Sequence, residues 1–246
     1  MKILKNACLV GLAVLSSALA QSTATVGTLQ GLVTDAQGKP LAGAEVRYRR
    51  LFQTVLSSSH QPLPAPGEAV IQSKVTTDAN GAYTLPNLPA GDYALCGSVP
   101  TLPYLDPCQW ATSPRTTVAA AAPTKHTLIL TKGVFLKVRV NDPLGLLPQT
   151  QDGPLKAGNL IVGVTFAKGA YLGAQNTGVD SAGRNYQMII PAGAPLSLWL
   201  FSRHVALKDA NGNPVDVSGA RIAFQATAGS DQTFTFTVSG PLAQSQ

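Results

Sequence analysis

Five turn residues occur twice at one spacing. Asp78, Gly81, Pro89, Ala90 and Gly91 reappear as Asp180, Gly183, Pro191, Ala192 and Gly193, each 102 residues later. Between these turns the chain alternates. Tyr83 and Leu85, then Tyr93 and Leu95, are interleaved with small or polar residues in the first copy. Tyr186, Met188 and Ile190, then Leu196, Leu198 and Leu200, alternate in the second. A period of two puts one face of a strand inward, and turn residues at the ends fold such strands into hairpins. Past the first twenty residues, no window sustains the i, i+3, i+4, i+7 apolar spacing of a helix. A chain punctuated in this way must cover one face of many short strands, and stacking two sheets does so.

The same vocabulary extends along the chain. "TLQGLVTD" (28–35) runs into an Asp-Ala-Gln-Gly turn, and "AEVRYRRLF" (44–52) places Val46 and Tyr48 on one face. "SSSHQPLPAPG" (57–67) reads as an exposed loop, "AVIQSKVTTD" (69–78) as a strand, and "HTLILTKG" (126–133) as the strand that closes the first unit. "VFLKVRVNDPLGLLP" (134–148) repeats the strand and Asp-x-x-Gly turn, "DANGNPVDVSGARIAF" (209–224) echoes "DAQGKPLAGAEVRY" (35–48), and "QTFTFTVSG" (232–240) closes the second unit. Glycine at the fourth turn position accepts positive φ, and aspartate at the first bonds its own backbone. The expected fold is all-β: two tandem Greek-key β-sandwiches of roughly seven strands each, over residues 21–132 and 133–246. The junction Thr131-Lys132-Gly133 has no Ser/Pro-rich tether, so the two units are expected to pack end to end with little swing.

Residues 1–20 read as a secretory signal peptide: Lys2 and Lys5, an apolar run from Ala7 to Leu15, then Ala18-Leu19-Ala20 as a cleavage site. Cys8 stands at the start of the apolar run, where no lipid anchor is expected. No other segment is long and apolar enough to span a bilayer as a helix. The formal net charge is +6, and the leader carries two of the lysines and no acid, so +4 remains. The densest basic stretch, Arg47-Tyr48-Arg49-Arg50, could touch an acidic polymer or a membrane surface, but the wider basic footprint of a nucleic-acid binder is missing. It reads first as a solvated strand end. Only Cys96 and Cys108 follow the leader. An even count in an exported chain favours a disulfide, worth roughly 3 kcal/mol for a loop of about a dozen residues. The enclosed "GSVPTLPYLDP", with three prolines, is a loop that needs a staple.

"GLVTDAQGKPLAGAEVR" followed by "TTDANGAYTLPNLPAGDYAL" resembles the carboxypeptidase regulatory-like domain. Residues 28–48 and 76–95 carry its pattern closely, and residues 134–200 more loosely, with "LPQTQDGPLKAG" (147–158) inserted. The resemblance implies a transthyretin-like seven-stranded sandwich, grouped with carbohydrate-binding-like folds. It also implies an accessory role beside an enzyme, in a surface array or as a stalk. A fold of this kind licenses no activity by itself.

The sequence holds no familiar catalytic motif. His60, His126 and His204 are the three histidines, none in an H-E-x-x-H, and there is no G-x-S-x-G or P-loop. Asp35, Asp78, Asp142, Asp180 and Asp209 sit in turns, and neither "DANG" has the further acids of an EF-hand. No catalytic residue, cofactor or metal is assigned. Tyr104 and Trp110, on the Cys96–Cys108 loop and just past it, are candidate ligand-binding residues, since sugar rings stack on flat aromatics; the alternative is a Trp110 filling the underside of the loop. Trp199 and Phe201 lie opposite the apolar Leu196, Leu198 and Leu200, which points to cover by the first unit or a partner chain. The expected function is an exported, non-enzymatic interaction or structural module of the cell envelope, secreted, periplasmic or at the cell surface. Carbohydrate binding through loop aromatics is the alternative. The expected partner is an envelope protein or polysaccharide, not nucleic acid.

Overall fold

The computed structural model describes residues 26–52, 54–56, 62–64, 70–120, 122–147, 160–166 and 170–242. The leader, most of the Pro-rich stretch with His60, and the insertion after Leu147 lie outside the described residues. The first unit contains β1 (Val26–Asp35), β2 (Glu45–Arg50), β3 (Thr54–Leu56), β4 (Pro62–Pro64), β5 (Gln72–Thr76), β6 (Ala82–Pro89) and β7 (Gly91–Ser98). It continues with β8 (Tyr104–Leu105), α1 (Pro107–Trp110), β9 (Arg115–Val118) and β10 (Pro123–Lys132). The second contains β11 (Val134–Asn141), β12 (Ile161–Phe166), β13 (Ala170–Gly173), β14 (Gln175–Asp180) and β15 (Gly183–Ile190). Its remaining strands are β16 (Pro195–Phe201), β17 (Val205–Asp209), β18 (Pro214–Val215), β19 (Ser218–Gln225) and β20 (Gln232–Pro241).

Each unit is a sandwich with the same seven-stranded frame. In the first, β6-β1-β10-β8 faces β5-β2-β7-β9. In the second, β14-β15-β11-β20-β17-β18 faces β13-β12-β16-β19. The frame strands β6, β1, β10 and β5, β2, β7, β9 thus correspond to β15, β11, β20 and β13, β12, β16, β19. The first strand of each unit pairs in parallel with its last: β1 with β10, and β11 with β20. The short strands β3, β4, β8, β14, β17 and β18 are additions to that frame.

The alternation read from the sequence is the alternation that is buried. Val134, Leu136, Val138 and Val140 of β11 point inward, as do Leu196, Leu198 and Leu200 of β16. Tyr93 and Leu95 of β7 are fully buried in the first sandwich. Two separate apolar clusters result, one drawn from Leu29 to Leu130 and one from Val134 to Val238.

The turns are fixed by local hydrogen bonds. Asp35 accepts from the amides of Gln37 and Lys39 at 3.0 and 2.8 Å. Asp78 does the same with Asn80 and Ala82 at 2.9 and 2.8 Å, and Asp209 with Asn211 and Asn213 at 2.9 and 2.8 Å. The glycines that close these turns, Gly38, Gly81 and Gly212, have φ of 80°, 73° and 83°, which explains why glycine stands there. These carboxylates are engaged with their own backbone. The echo at 209–224 is local only. Asp35 follows the first strand of its sandwich, whereas Asp209 follows β17, which has no counterpart in the first. The positional counterpart of Asp35 is Asp142, buried after β11 and accepting from the amides of Leu146 and Leu147 at 3.0 and 2.6 Å.

Trp199 and Phe201 do point outward from β16, and the cover comes from their own sandwich. Tyr171 sets its ring edge against Trp199 at 4.8 Å, Phe201 stacks on the other side at 5.7 Å, and Arg203 lies 5.8 Å from the Phe201 ring. Trp199 Nε1 donates to the Gly219 carbonyl at 3.1 Å.

Asp180 ends β14 and links to β11 through Arg139, whose two terminal nitrogens donate to it at 2.8 and 3.0 Å. The Arg139 guanidinium first, and then the Ala182 amide, hold its carboxyl below the ordinary carboxylate range. A carboxylate depressed in the folded state stabilises above its unfolded pKa, and that contribution disappears as pH falls through the folded value. Asp180→Asn is therefore expected to flatten the loss of stability between about pH 5 and about pH 2. Urea midpoints across that range, compared with the parent, check this, and parallel curves would rule it out.

Candidate functional site

The segment from Cys96 to Trp110 is built to bridge. Cys96 faces outward on β7, directly opposite Arg47 of β2. The chain then leaves that sheet through Pro100 and Pro103 and adds β8 to the edge of the other one, Tyr104 opposite Lys132 and Leu105 opposite Thr131. It returns as α1, a single turn with a clear start signal. Asp106 is the N-cap and Pro107 follows it, and the Asp106 carboxylate accepts from the Cys108 amide at 3.0 Å. Cys108 then bonds to Cys96, with their Cα atoms 5.4 Å apart. The loop is thereby tied to both sheets of the first sandwich at the end that meets the second.

Asp106 holds this arrangement together. Its side chain is buried, it caps α1, and it receives Arg47 Nη2 in an ion pair. A buried carboxylate is tolerated only when paired and hydrogen-bonded, and both conditions are met here. Cys96, Asp106 and Cys108 form the one cluster of three metal-ligating side chains among the described residues. The two sulfurs are bonded to each other, so the cluster lacks the free thiolates a soft metal needs.

Beyond the disulfide the loop meets the second sandwich. Trp110 packs against the second apolar cluster, its ring centroid 5.0 Å from that of Phe166 on β12. One glycine, Gly133, separates β10 from β11, and its amide donates to the Pro103 carbonyl at 2.6 Å. A cleft of about 240 Å³ lies between the units, with Tyr104, Asp106 and Gln109 on one side and Phe135, Gln187 and Met188 on the other.

These positions bear on the two aromatic candidates. Tyr104 is buried in the first core, and its hydroxyl pKa is raised by burial first and by the negative charge of Asp35 second. Trp110 is half-buried and sets its ring against Phe166. The structure brings both residues to the inter-sandwich contact. What sequence reasoning missed was the partner set: Phe166, Arg47 and Asp106. A basic residue at alternate positions of β2 and an Asp-Pro cap were the legible signals, but nothing local tied them to each other.

Residues 28–100 match the family model described as the carboxypeptidase regulatory-like domain. No curated protein matches the chain. Among solved structures, the Bacillus anthracis TIE protein is 14% identical with a TM-score of 0.33; the match covers 87% of this chain and 34% of that one. A streptococcal ancillary pilin is 12% identical with a TM-score of 0.39, the match covering 88% of this chain and 63% of that one. The major pilin subunit of Bacillus cereus is 13% identical with a TM-score of 0.30, the match covering 82% of each. Likenesses this loose carry no functional inference.

Proposed function

We propose that this chain, whose first sandwich carries a carboxypeptidase regulatory-like domain, is an exported structural module of the cell envelope. In this reading residues 1–20 are a cleaved leader, and 21–132 and 133–246 are two sandwiches held in one orientation. The observation that carries it is the disulfide-held loop, which is fixed to both sheets of the first sandwich and sets Trp110 against the second. A one-residue junction with a brace beside it resists bending in a way a flexible linker does not. The role is mechanical: the protein presents surfaces at a set distance and angle. A non-enzymatic role is supported by the turn and ion-pair partners of the described carboxylates.

Trp110→Ala tests the brace without removing the disulfide. An aromatic pair is worth about 0.5–1.5 kcal/mol beyond its area. The variant is expected to keep both sandwiches folded and to broaden the distance distribution between spin labels placed at Thr84 and Ser230. An unchanged distribution would remove Trp110 from the brace. A screen of esterase, peptidase and glycosidase substrates is expected to show no turnover. Saturable turnover of any of them would replace this reading with an enzymatic one.

A further inference from the structure

We propose that the outer face of the β5-β2-β7-β9 sheet binds an acidic polysaccharide. The proposal rests on the reading of the chain as an exported envelope module and names a class of partner for it. Alternation along β2 sends Val46 into the core and Arg47 and Arg49 out. These two are roughly 6.6 Å apart along the strand. Lys74 of β5 stands directly opposite Arg47. Ala94 of β7 stands opposite Arg49, and Arg115 of β9 stands opposite Ala94. Four cationic side chains therefore share one sheet face, carried by three of its four strands.

The face carries a shallow, open groove of about 640 Å³, with Ala94 and the disulfide as its floor and Asp106, Gln109 and Ser113 along one side. The small residues at 94 and 96 leave room between the cations. Asp106 pairs with Arg47, and Glu45 pairs with Lys74 at 2.7 Å. Among the described residues no carboxylate pairs with Arg49, which lines the groove, or with Arg115, which stands beside the groove on the same face, so the face keeps net positive charge. The amides of Gln72 and Gln109 and the hydroxyls of Ser73 and Ser113 add donors and acceptors suited to sugar hydroxyls.

Charge and polarity together select the ligand. Single exposed ion pairs are weak, but a polymer with a carboxylate on each sugar engages several at once. Single-stranded nucleic acid needs aromatic faces on which bases stack. The one aromatic residue at this groove among the described residues, Tyr48, packs toward Tyr93 with ring centroids 6.4 Å apart and joins the core. The polyanion that fits is therefore a polyuronate rather than a nucleic acid.

Affinity electrophoresis of the mature protein in gels containing polygalacturonate tests this. Retardation is expected, weakening with added salt, and none in gels containing neutral dextran. Arg49→Gln with Arg115→Gln is expected to weaken binding about tenfold. Arg49→Gln with Lys74→Gln, a second pair from the same face, is expected to do the same, which separates lost charge from an accident of folding. Lys125→Gln with Lys208→Gln removes equal charge from the opposite sheet and from the second sandwich, and is expected to leave retardation unchanged. Three results would overturn the proposal: no retardation by polygalacturonate, equal loss in the control pair, or equally strong binding to a short single-stranded DNA at the same salt. None of them would alter the label distances that test the brace, so the two readings fail separately.

Discussion

Replacing both Cys96 and Cys108 with alanine lowers stability by about 3 kcal/mol, the expected value for a cross-link closing a short loop. The bond joins residues 12 apart. Its loss does more than free that loop. α1 is a single turn, too short to hold itself, and its cap Asp106 stays buried only while the turn stays docked. When the sulfur link goes, Asp106 and Arg47 lose their fixed geometry, and Trp110 loses the support that aims it at Phe166. The variant is therefore expected to unfold in two steps where the parent unfolds in one. Both tryptophans report on this, since Trp110 sits at the contact and Trp199 in the second sandwich. Urea denaturation followed by tryptophan fluorescence, run with and without reductant, is the measurement. The reduced parent should follow the variant. A variant curve shifted to lower urea but still a single step would show that the disulfide supports nothing beyond its own loop, and superimposable curves for oxidised parent and variant would show that it supports neither.

Gly133→Val is expected to cost about 1–3 kcal/mol, the range for forcing atoms into a packed site. A Cβ at this position would lie 2.5 Å from the Ile190 carbonyl oxygen, 2.9 Å from Leu105 Cδ2 and 3.1 Å from Ile189 Cγ2. The first and third belong to the second sandwich and the second to the brace, so relief of the clash must move one against the other. The closest of these atoms is backbone, which cannot rotate away. The hydrogen bond that the Gly133 amide donates to the Pro103 carbonyl is strained by the same movement. Gly240→Ala serves as control, because a Cβ there meets nothing within 4 Å. Thermal melts should separate the two variants. A valine at 133 that melts with the parent would mean the sandwiches adjust freely, and the rigid reading would fall with it.

The sequence carried the turns because their chemistry is local. Asp35, Asp78 and Asp209 bond amides two and four residues along, and glycine closes each turn. It carried the inward faces for the same kind of reason, since a pleat alternates regardless of what lies opposite. The two cysteines beyond residue 20 were legible by count, and the 102-residue offset exposed the duplication. The echo at 209–224 misled because an identical turn can follow any strand. Alternation also could not say what covers an outward face. Trp199 and Phe201 looked as though they awaited a neighbour, and Tyr171 and Arg203 of their own sandwich supply it.

What only the tertiary structure decided are the contacts between residues far apart in the chain: Arg47 with Asp106, Trp110 with Phe166, Gly133 with Pro103, and the parallel closure of first strand on last. Each depends on where whole strands come to rest in a stacked pair of sheets. A strand's own residues set its periodicity and its ends, but its neighbour is chosen by the packing of the entire sandwich. The sheet edge and the gap between the two bodies, where the brace lies, exist only once that packing is complete.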